Sequence, residues 1–311
     1  MKKQKIIYVA GPTASGKTEL GIALAKHFDG EVISADSMQI YREMHIASAA
    51  PDSSETQGVP HHLVEFLDYG ATFTVADYVK TAREKIAEIA SRGKMPIIVG
   101  GTGLYISSLV DNIEFIESET DLLLREKITQ EFDRVGAAEM LKRLHEIDPD
   151  TADKLHENDK RRIIRAFEIY ESTGKTKSFN DEQSVKNESP YAACMIGITY
   201  RDRELLYGRI NRRVDIMLEN GLLCEAKAAF CKKLGGGAVQ AIGHKEFFDY
   251  FKGEISLEEA VENLKRSTRR YAKRQLTWFN KDSRINWIYK DETADALQTA
   301  VKIAEREENY A

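Results

Sequence analysis

Residues 8–20, YVAGPTASGKTEL, run from an apolar stretch through a glycine loop into a helical pattern, and this order constrains the chain more than any other feature. Gly11, Gly16, Lys17 and Thr18 complete the spacing G-x-x-x-x-G-K-[ST]. Glycines let backbone N–H groups turn inward, and the helix N-terminus adds the positive end of its dipole. With Pro12, Thr13, Ala14 and Ser15 between them, these residues form a cradle for phosphate oxygens. Lys17 reaches the outer oxygens, and the Thr18 hydroxyl can hold Mg²⁺. The spacing does not say whose phosphates these are.

Strand signals at KIIYVA, EVISAD and MPIIVGG alternate with the helical patterns ELGIALAKHF and TVADYVKTAREKIAEIASRG, which predicts βαβ units and a parallel sheet. From about Glu117 to Tyr170 the pattern is purely helical, with apolar residues three and four apart in LLLREKITQEF, AAEMLKRLHEI and KRRIIRAFEIYEST. A polar loop, KTKSFNDEQSVKNESP, follows. CMIGITY then resumes strand character, two or three helices come next, and RINWIY reads as a last strand. The expected layout is an α/β core, 1–112 with 191–311, interrupted by an all-helical insertion over 113–190.

At 311 residues, 42% hydrophobic and 31% charged, the chain fits a globular protein with a substantial core. The first ten residues are too short in apolar run for a signal peptide, and no stretch approaches transmembrane length, so a cytoplasmic location is expected. Three cysteines, Cys194, Cys224 and Cys231, without a CxxC pair predict neither a disulfide framework nor a zinc site. A net charge of −5 argues against a nucleic-acid partner at first. Basic residues nonetheless cluster in RDRELLYGRINRRV and LKRSTRRYAKRQ, which fit either a basic binding face or ordinary solvated helix faces.

The second strand ends in SADSMQIY. Asp36 falls just past its C-terminal end, where open α/β sheets bind ligands, although the same residue fits a helix N-cap. VGGTGLY after the next strand brings Gly100, Gly101 and Gly103 close to a ligand and offers the Thr102 hydroxyl beside Asp36. No apolar strand ends in a metal-binding aspartate of the kind found in ATP-hydrolysing motors. A phosphate loop without that group suits a diphosphate that departs as a leaving group.

Together, GPTASGKT, DSMQIY (36–41), PHHL (60–63), FTVADY (73–78), VGGTGLY, NDKRRIIRA (158–166), STGK, RINRRVDIMLENGL (209–222), QAIGHKE and YAKRQLTWF resemble the tRNA dimethylallyltransferases. The motifs span residues 8–279. That resemblance implies a core like that of P-loop NTPases, a parallel sheet flanked by helices. It implies transfer of a dimethylallyl group from dimethylallyl diphosphate to the exocyclic N6 amine of the adenosine 3′ of the anticodon, position 37, in tRNAs reading codons that begin with U. It also implies Mg²⁺ dependence, a monomer and no membrane partner.

Carried over by motif, Lys17 and Arg213 stabilise the departing diphosphate, although Arg213 equally fits an exposed charge paired with Asp215 or Glu219. Asp36 accepts the amine proton, which the delocalised lone pair of adenine makes necessary. Thr102 orients that amine, and Ser37, Met38 and Gln39 contact a base flipped out of the anticodon stem-loop. Arg125, Lys160, Arg161, Arg162, Ile163, Ile164 and Arg165 contact the tRNA from the insertion, and Lys273 and Arg274 extend that face. Trp278 and Phe279 are expected in the core. Ala50, His244 and Lys160 depart from the residues common in the family, and His61 and His62 read as structural or substrate-orienting. An isopentenyltransferase acting on free AMP, ADP or ATP, a small-molecule kinase, and a non-catalytic RNA-binding protein remain as alternatives.

Overall fold

The computed structural model describes residues 3–115, 121–184, 188–232, 238 and 241–308. The expected start of the helical run near Glu117 and the Gln240 of QAIGHKE lie outside these residues. Six strands, β1 (Gln4–Ala10), β2 (Gly30–Ser34), β3 (His61–His62), β4 (Met95–Gly100), β5 (Tyr191–Thr199) and β6 (Asn286–Tyr289), form one parallel sheet in the order β3-β2-β4-β1-β5-β6. The described helices are α1 (Lys17–His27), α2 (His45–Ser48), α3 (Val75–Ser91), α4 (Gly103–Val110), α5 (Leu122–Val135), α6 (Ala137–Ile147) and α7 (Pro149–Ala152). They continue with α8 (Lys160–Thr173), α9 (Lys177–Ser184), α10 (Arg203–Glu219), α11 (Leu222–Lys232), α12 (Phe248–Lys252), α13 (Leu257–Phe279) and α14 (Ala296–Glu308).

A parallel sheet is covered on both faces, so its strands need apolar side chains on both. β1 meets this by alternation: Ile6, Tyr8 and Ala10 join one cluster, with Tyr78, Ile86 and Leu109 of α3 and α4, while Ile7 and Val9 join another, with Leu20 and Leu24 of α1. The chain forms two compact units, Met1–Val110 with Ser189–Ala311, and Asp111–Glu188. The second holds α5 to α9 around its own core of Ile128, Phe132, Met140, Leu144, Ile163 and Phe167.

Four features differ from the sequence expectation. β3 has only two residues, too few for any alternation to be read. α9 lies in the segment expected to be a polar loop; it buries no residue, and Asp148 holds its second residue by accepting from Ser178 N at 3.0 Å. Among the described residues four α-helices, not two or three, separate β5 from β6. α14, in the acidic C-terminal stretch, buries Ala300 and Ala304 in the α1 face of the core. Among the described residues no helix is long and apolar enough to cross a membrane. Because β1, β2 and β4 run parallel, their C-terminal loops at 11–16, 35–39 and 101–103 emerge at one edge, the place where such sheets bind ligands.

Candidate active site

Backbone geometry requires the first glycine of the phosphate loop: a Cβ on Gly11 would stand 2.5 Å from the Ile198 carbonyl oxygen of β5. Gly16, at φ +94°, sits in the left-handed region immediately before α1. Ser15 N donates to Pro12 O at 3.3 Å and closes the turn, while Arg209 Nε reaches from α10 to Ala14 O at 3.0 Å. Gln275 of α13 ties this loop to the next: its Oε1 accepts from Thr13 N at 2.9 Å, and its Nε2 donates to Gly101 O at 3.0 Å. Ser15 is fully buried and its Oγ has no partner among the described residues, an orphan donor of the kind an anion in the loop would satisfy.

Beside the loop lies a cavity of about 290 Å³, walled by Thr13, Lys17 and Thr18, by the turn from Asp36 to Gln39, and by Arg213 and Tyr271 from α10 and α13. Burial and the neighbouring Arg213 push the Lys17 pKa down to about 8 against the opposing pull of Asp36. Burial also lowers the pKa of Arg213, which Asp36 and Glu55 counteract. Arg213 is therefore not the exposed helix charge its position also allowed. Two half-buried cations with one carboxylate in their fields make the cavity suited to an anion.

Asp36 Oδ1 accepts from Met38 N at 2.9 Å and Gln39 N at 3.4 Å, the local bonding of a cap or Asx turn, and Oδ2 has no partner among the described residues. No helix starts here, so Asp36 holds a turn and is not the helix N-cap its position also allowed. Thr102 Oγ1 accepts from Ser37 N at 3.0 Å, and Thr102 N donates to Ala35 O at 3.1 Å. Its bonds hold the turn that carries Asp36, and Ser37, not Thr102, forms the cavity wall. The Gln39 amide is engaged on both sides, accepting from Ser34 Oγ at 2.7 Å and donating to Ala49 O at 3.1 Å. Met38 packs partly against the cluster of Ile40, Tyr41 and Met44.

In the helical unit, Arg161 and Arg162 are exposed at the start of α8. Exposed Arg125 pairs with buried Glu168 at 2.6 Å, and Arg165 reaches the same carboxylate at 3.3 Å. Lys160 pairs with Asp133 and stands 5.2 Å from the Phe132 ring centroid. Ile163 and Ile164 correct the expectation of RNA contact: their side chains are buried in the core of this unit and bind α8 to it. Within the expected basic segments, Arg201, Lys265 and Arg269 are paired with Glu292, Asp215 and Glu262. Arg274 lines the cavity, and Lys273 is exposed.

Phe279 is in the core, but Trp278 is 40% exposed and lies across Gly103, where a Cβ would meet its ring at 2.2 Å. His244 is fully buried, its Nε2 2.8 Å from Glu225, whose carboxylate also accepts from Ile46 N and Ala47 N. Ala50 is buried at the end of the same segment. His62 pairs with Glu31 at 2.6 Å, while the pKa of His61 is lowered by burial. Three contributors carried no role from sequence: Gln275, Tyr271 and Arg209. Gln275 had one readable signal, since it occupies the buried stripe Leu264, Ala272, Gln275, Phe279 of α13, where a polar side chain needs a partner. The phenol of Tyr271 is held protonated by its burial and by Asp36.

The family model described as IPP transferase matches residues 39–282. A relative from Caldanaerobacter subterraneus subsp. tengcongensis, named tRNA dimethylallyltransferase, is 47% identical over 293 residues, covering 93% of this chain and 92% of its own length. One of the same name from Bacillus subtilis is 47% identical over 287 residues, covering 92% and 91%. The full-length tRNA isopentenylpyrophosphate transferase of Bacillus halodurans superposes with a TM-score of 0.73 at 40% identity, covering 99% of both chains. A eukaryotic dimethylallyltransferase captured acting on tRNA superposes with a TM-score of 0.84 at 31% identity, covering 99% of this chain and 80% of its own.

Proposed function

The chain belongs to the IPP transferase family, and on that premise we propose that it transfers a dimethylallyl group from dimethylallyl diphosphate to the N6 amine of a tRNA adenosine, the one 3′ of the anticodon. The observation that carries this reading is the pairing, in one cavity, of a phosphate-type loop backed by two half-buried cations with a carboxylate that keeps one oxygen unused among the described residues.

The diphosphate lies on the loop amides at residues 14 and 16–18, since Pro12 has no N–H and those of Thr13 and Ser15 are bonded within the fold, with Lys17 and Arg213 matching its charge as the bond to the allylic carbon breaks. Asp36 Oδ2 takes the amine proton while Oδ1 keeps the carboxylate fixed on its own turn. The adenine leaves its stack to reach this cavity, a cost of about a few kcal/mol offset by contacts in the pocket. Ser37 and Met38 are the side chains of that turn free to meet the base, since the Gln39 amide is occupied. Arg161, Arg162 and Arg125 on the helical unit suit contacts to RNA phosphates.

Mg²⁺ fits the residues present. Among the described residues no three acidic, histidine or cysteine side chains converge on a metal, so an ion would be held by the Thr18 hydroxyl, the diphosphate oxygens and water, as Mg²⁺ commonly is. When bound, it neutralises charge on the leaving diphosphate.

The test is incubation with dimethylallyl diphosphate and either unmodified tRNA or AMP. Prenylated tRNA is expected. Product on AMP alone, or transfer of the γ-phosphate of ATP to a small molecule, would overturn the proposal.

A further inference from the structure

Adjacent residues of a strand point to opposite faces, and β3 gives its two histidines different surroundings. His62 closes an ionic triad with Glu31 and Arg92, which lies 2.7 Å from the same carboxylate oxygen. His61 Nδ1 lies 2.8 Å from the Val59 carbonyl oxygen, which can only accept, so Nδ1 carries the proton and Nε2 is a bare lone pair. That Nε2 is buried and has no partner among the described residues.

His61 lines a second, smaller cavity of about 20 Å³ together with Ser34, Asp36, Lys17, Thr18 and Gly100. The volume accommodates one water, and the wall offers the polar partners a buried water requires. Lys17, Thr18, Asp36 and Gln39 belong to both cavities, so the small one opens beside the hydroxyl proposed to hold the metal ion.

In phosphate-loop NTPases a carboxylate works with the loop hydroxyl to hold Mg²⁺. Neither strand beside β1 ends in an acidic side chain: β4 finishes in Val99 and Gly100, and β5 in Ile198 and Thr199. A Cβ at position 100 would stand 2.2 Å from the Ala35 carbonyl oxygen, so the turn carrying Asp36 forbids any side chain there. The acceptor that this position cannot supply has a substitute across the small cavity.

We infer that His61 Nε2 accepts a hydrogen bond from a water bound to the divalent ion of the metal–diphosphate complex, and so fixes that ion from its outer shell. The inference rests on the proposed function. A neutral imidazole does this without adding negative charge beside the diphosphate, whose charge Lys17 and Arg213 already match. Outer-shell partners of this kind typically change metal affinity about 10- to 100-fold when removed.

Mn²⁺ is the probe, with inorganic diphosphate at saturation and the full chain as wild type, His61→Ala and His61→Gln. Free Mn²⁺ is counted by its electron paramagnetic resonance signal. His61→Ala is expected to weaken Mn²⁺ binding about tenfold, and His61→Gln, whose Oε1 can accept, to regain part of that loss. Pulsed resonance on the wild-type complex should show one weakly coupled nitrogen, as for an imidazole separated from the ion by water. This wild-type measurement decides the matter even where a variant fails to fold. Mn²⁺ affinity unchanged in folded His61→Ala, no nitrogen coupling, or a coupling strong enough for direct ligation would each overturn the inference. Failure of the wild type to prenylate tRNA in the presence of Mn²⁺ or Mg²⁺ would instead overturn the proposed function.

Discussion

Lys17 offers a quantitative check on the anion cradle. With a pKa of about 8, it holds its extra proton in roughly nine of ten molecules at pH 7 and roughly one of ten at pH 9. A diphosphate bound against it favours the charged form and raises that pKa. Affinity is therefore full below about pH 8 and falls as pH rises through it, by up to about tenfold between pH 7 and 9, or about 1.4 kcal/mol. In the ligand-free protein the sign for stability is opposite. The unfolded chain holds the proton up to a higher pH, so this group lets stability rise between about pH 8 and the ordinary lysine value of 10.5. Calorimetric titration with dimethylallyl diphosphate at pH 7, 8 and 9, in two buffers of different ionisation enthalpy, measures both affinity and protons taken up. About half a proton should be taken up at pH 8. Lys17→Arg keeps its charge across this range, so its profile isolates the titration of the ligand itself. Superimposable profiles for wild type and Lys17→Arg, with no proton uptake at pH 8, would refute the account of Lys17 as a cation of depressed pKa facing the diphosphate.

Asp36→Asn preserves an Oδ1 acceptor for Met38 N and Gln39 N but cannot take a proton; the transfer rate should fall at least about 100-fold while the tRNA dissociation constant stays within about threefold. Weakened tRNA binding with normal turnover would contradict the assigned role. Gln275→Leu leaves Thr13 N and Gly101 O without partners and should cost about 2–4 kcal/mol in urea unfolding, with a smaller loss counting against Gln275 as the tie between the loops. Gly100→Ala forces a Cβ onto the Ala35 carbonyl, and a loss of about 1–3 kcal/mol together with slowed transfer is expected; wild-type melting and activity would show that the turn yields freely. Arg161→Ala and Arg162→Ala should each weaken tRNA binding regardless of sequence and lower the salt dependence by about one phosphate contact, measured by filter binding across ionic strength.

How much of this was readable in advance depended on the range of the interaction that decides it. The phosphate loop, the alternation of strands with helices and the amphipathic helices of the insertion are written in residues one to eight apart, because backbone conformation and helix or strand period act at that range. β3 and α9 escaped because neither carries a period: one is too short, and the other buries nothing of its own.

Residue types at 11–18, 36 and 100–103 by themselves placed a phosphate-type loop at the end of a parallel sheet with an acid on the neighbouring turn. Tertiary structure alone decided which polar groups are satisfied and which are left bare. Thr13 meets Gln275 from 262 positions away, Lys17 loses proton affinity through desolvation and then through the charge of Arg213, and Ile163 and Ile164 turn inward among helices whose packing no local pattern specifies. Desolvation and orphaned hydrogen bonds are properties of what surrounds an atom in space, and order along the chain does not encode them.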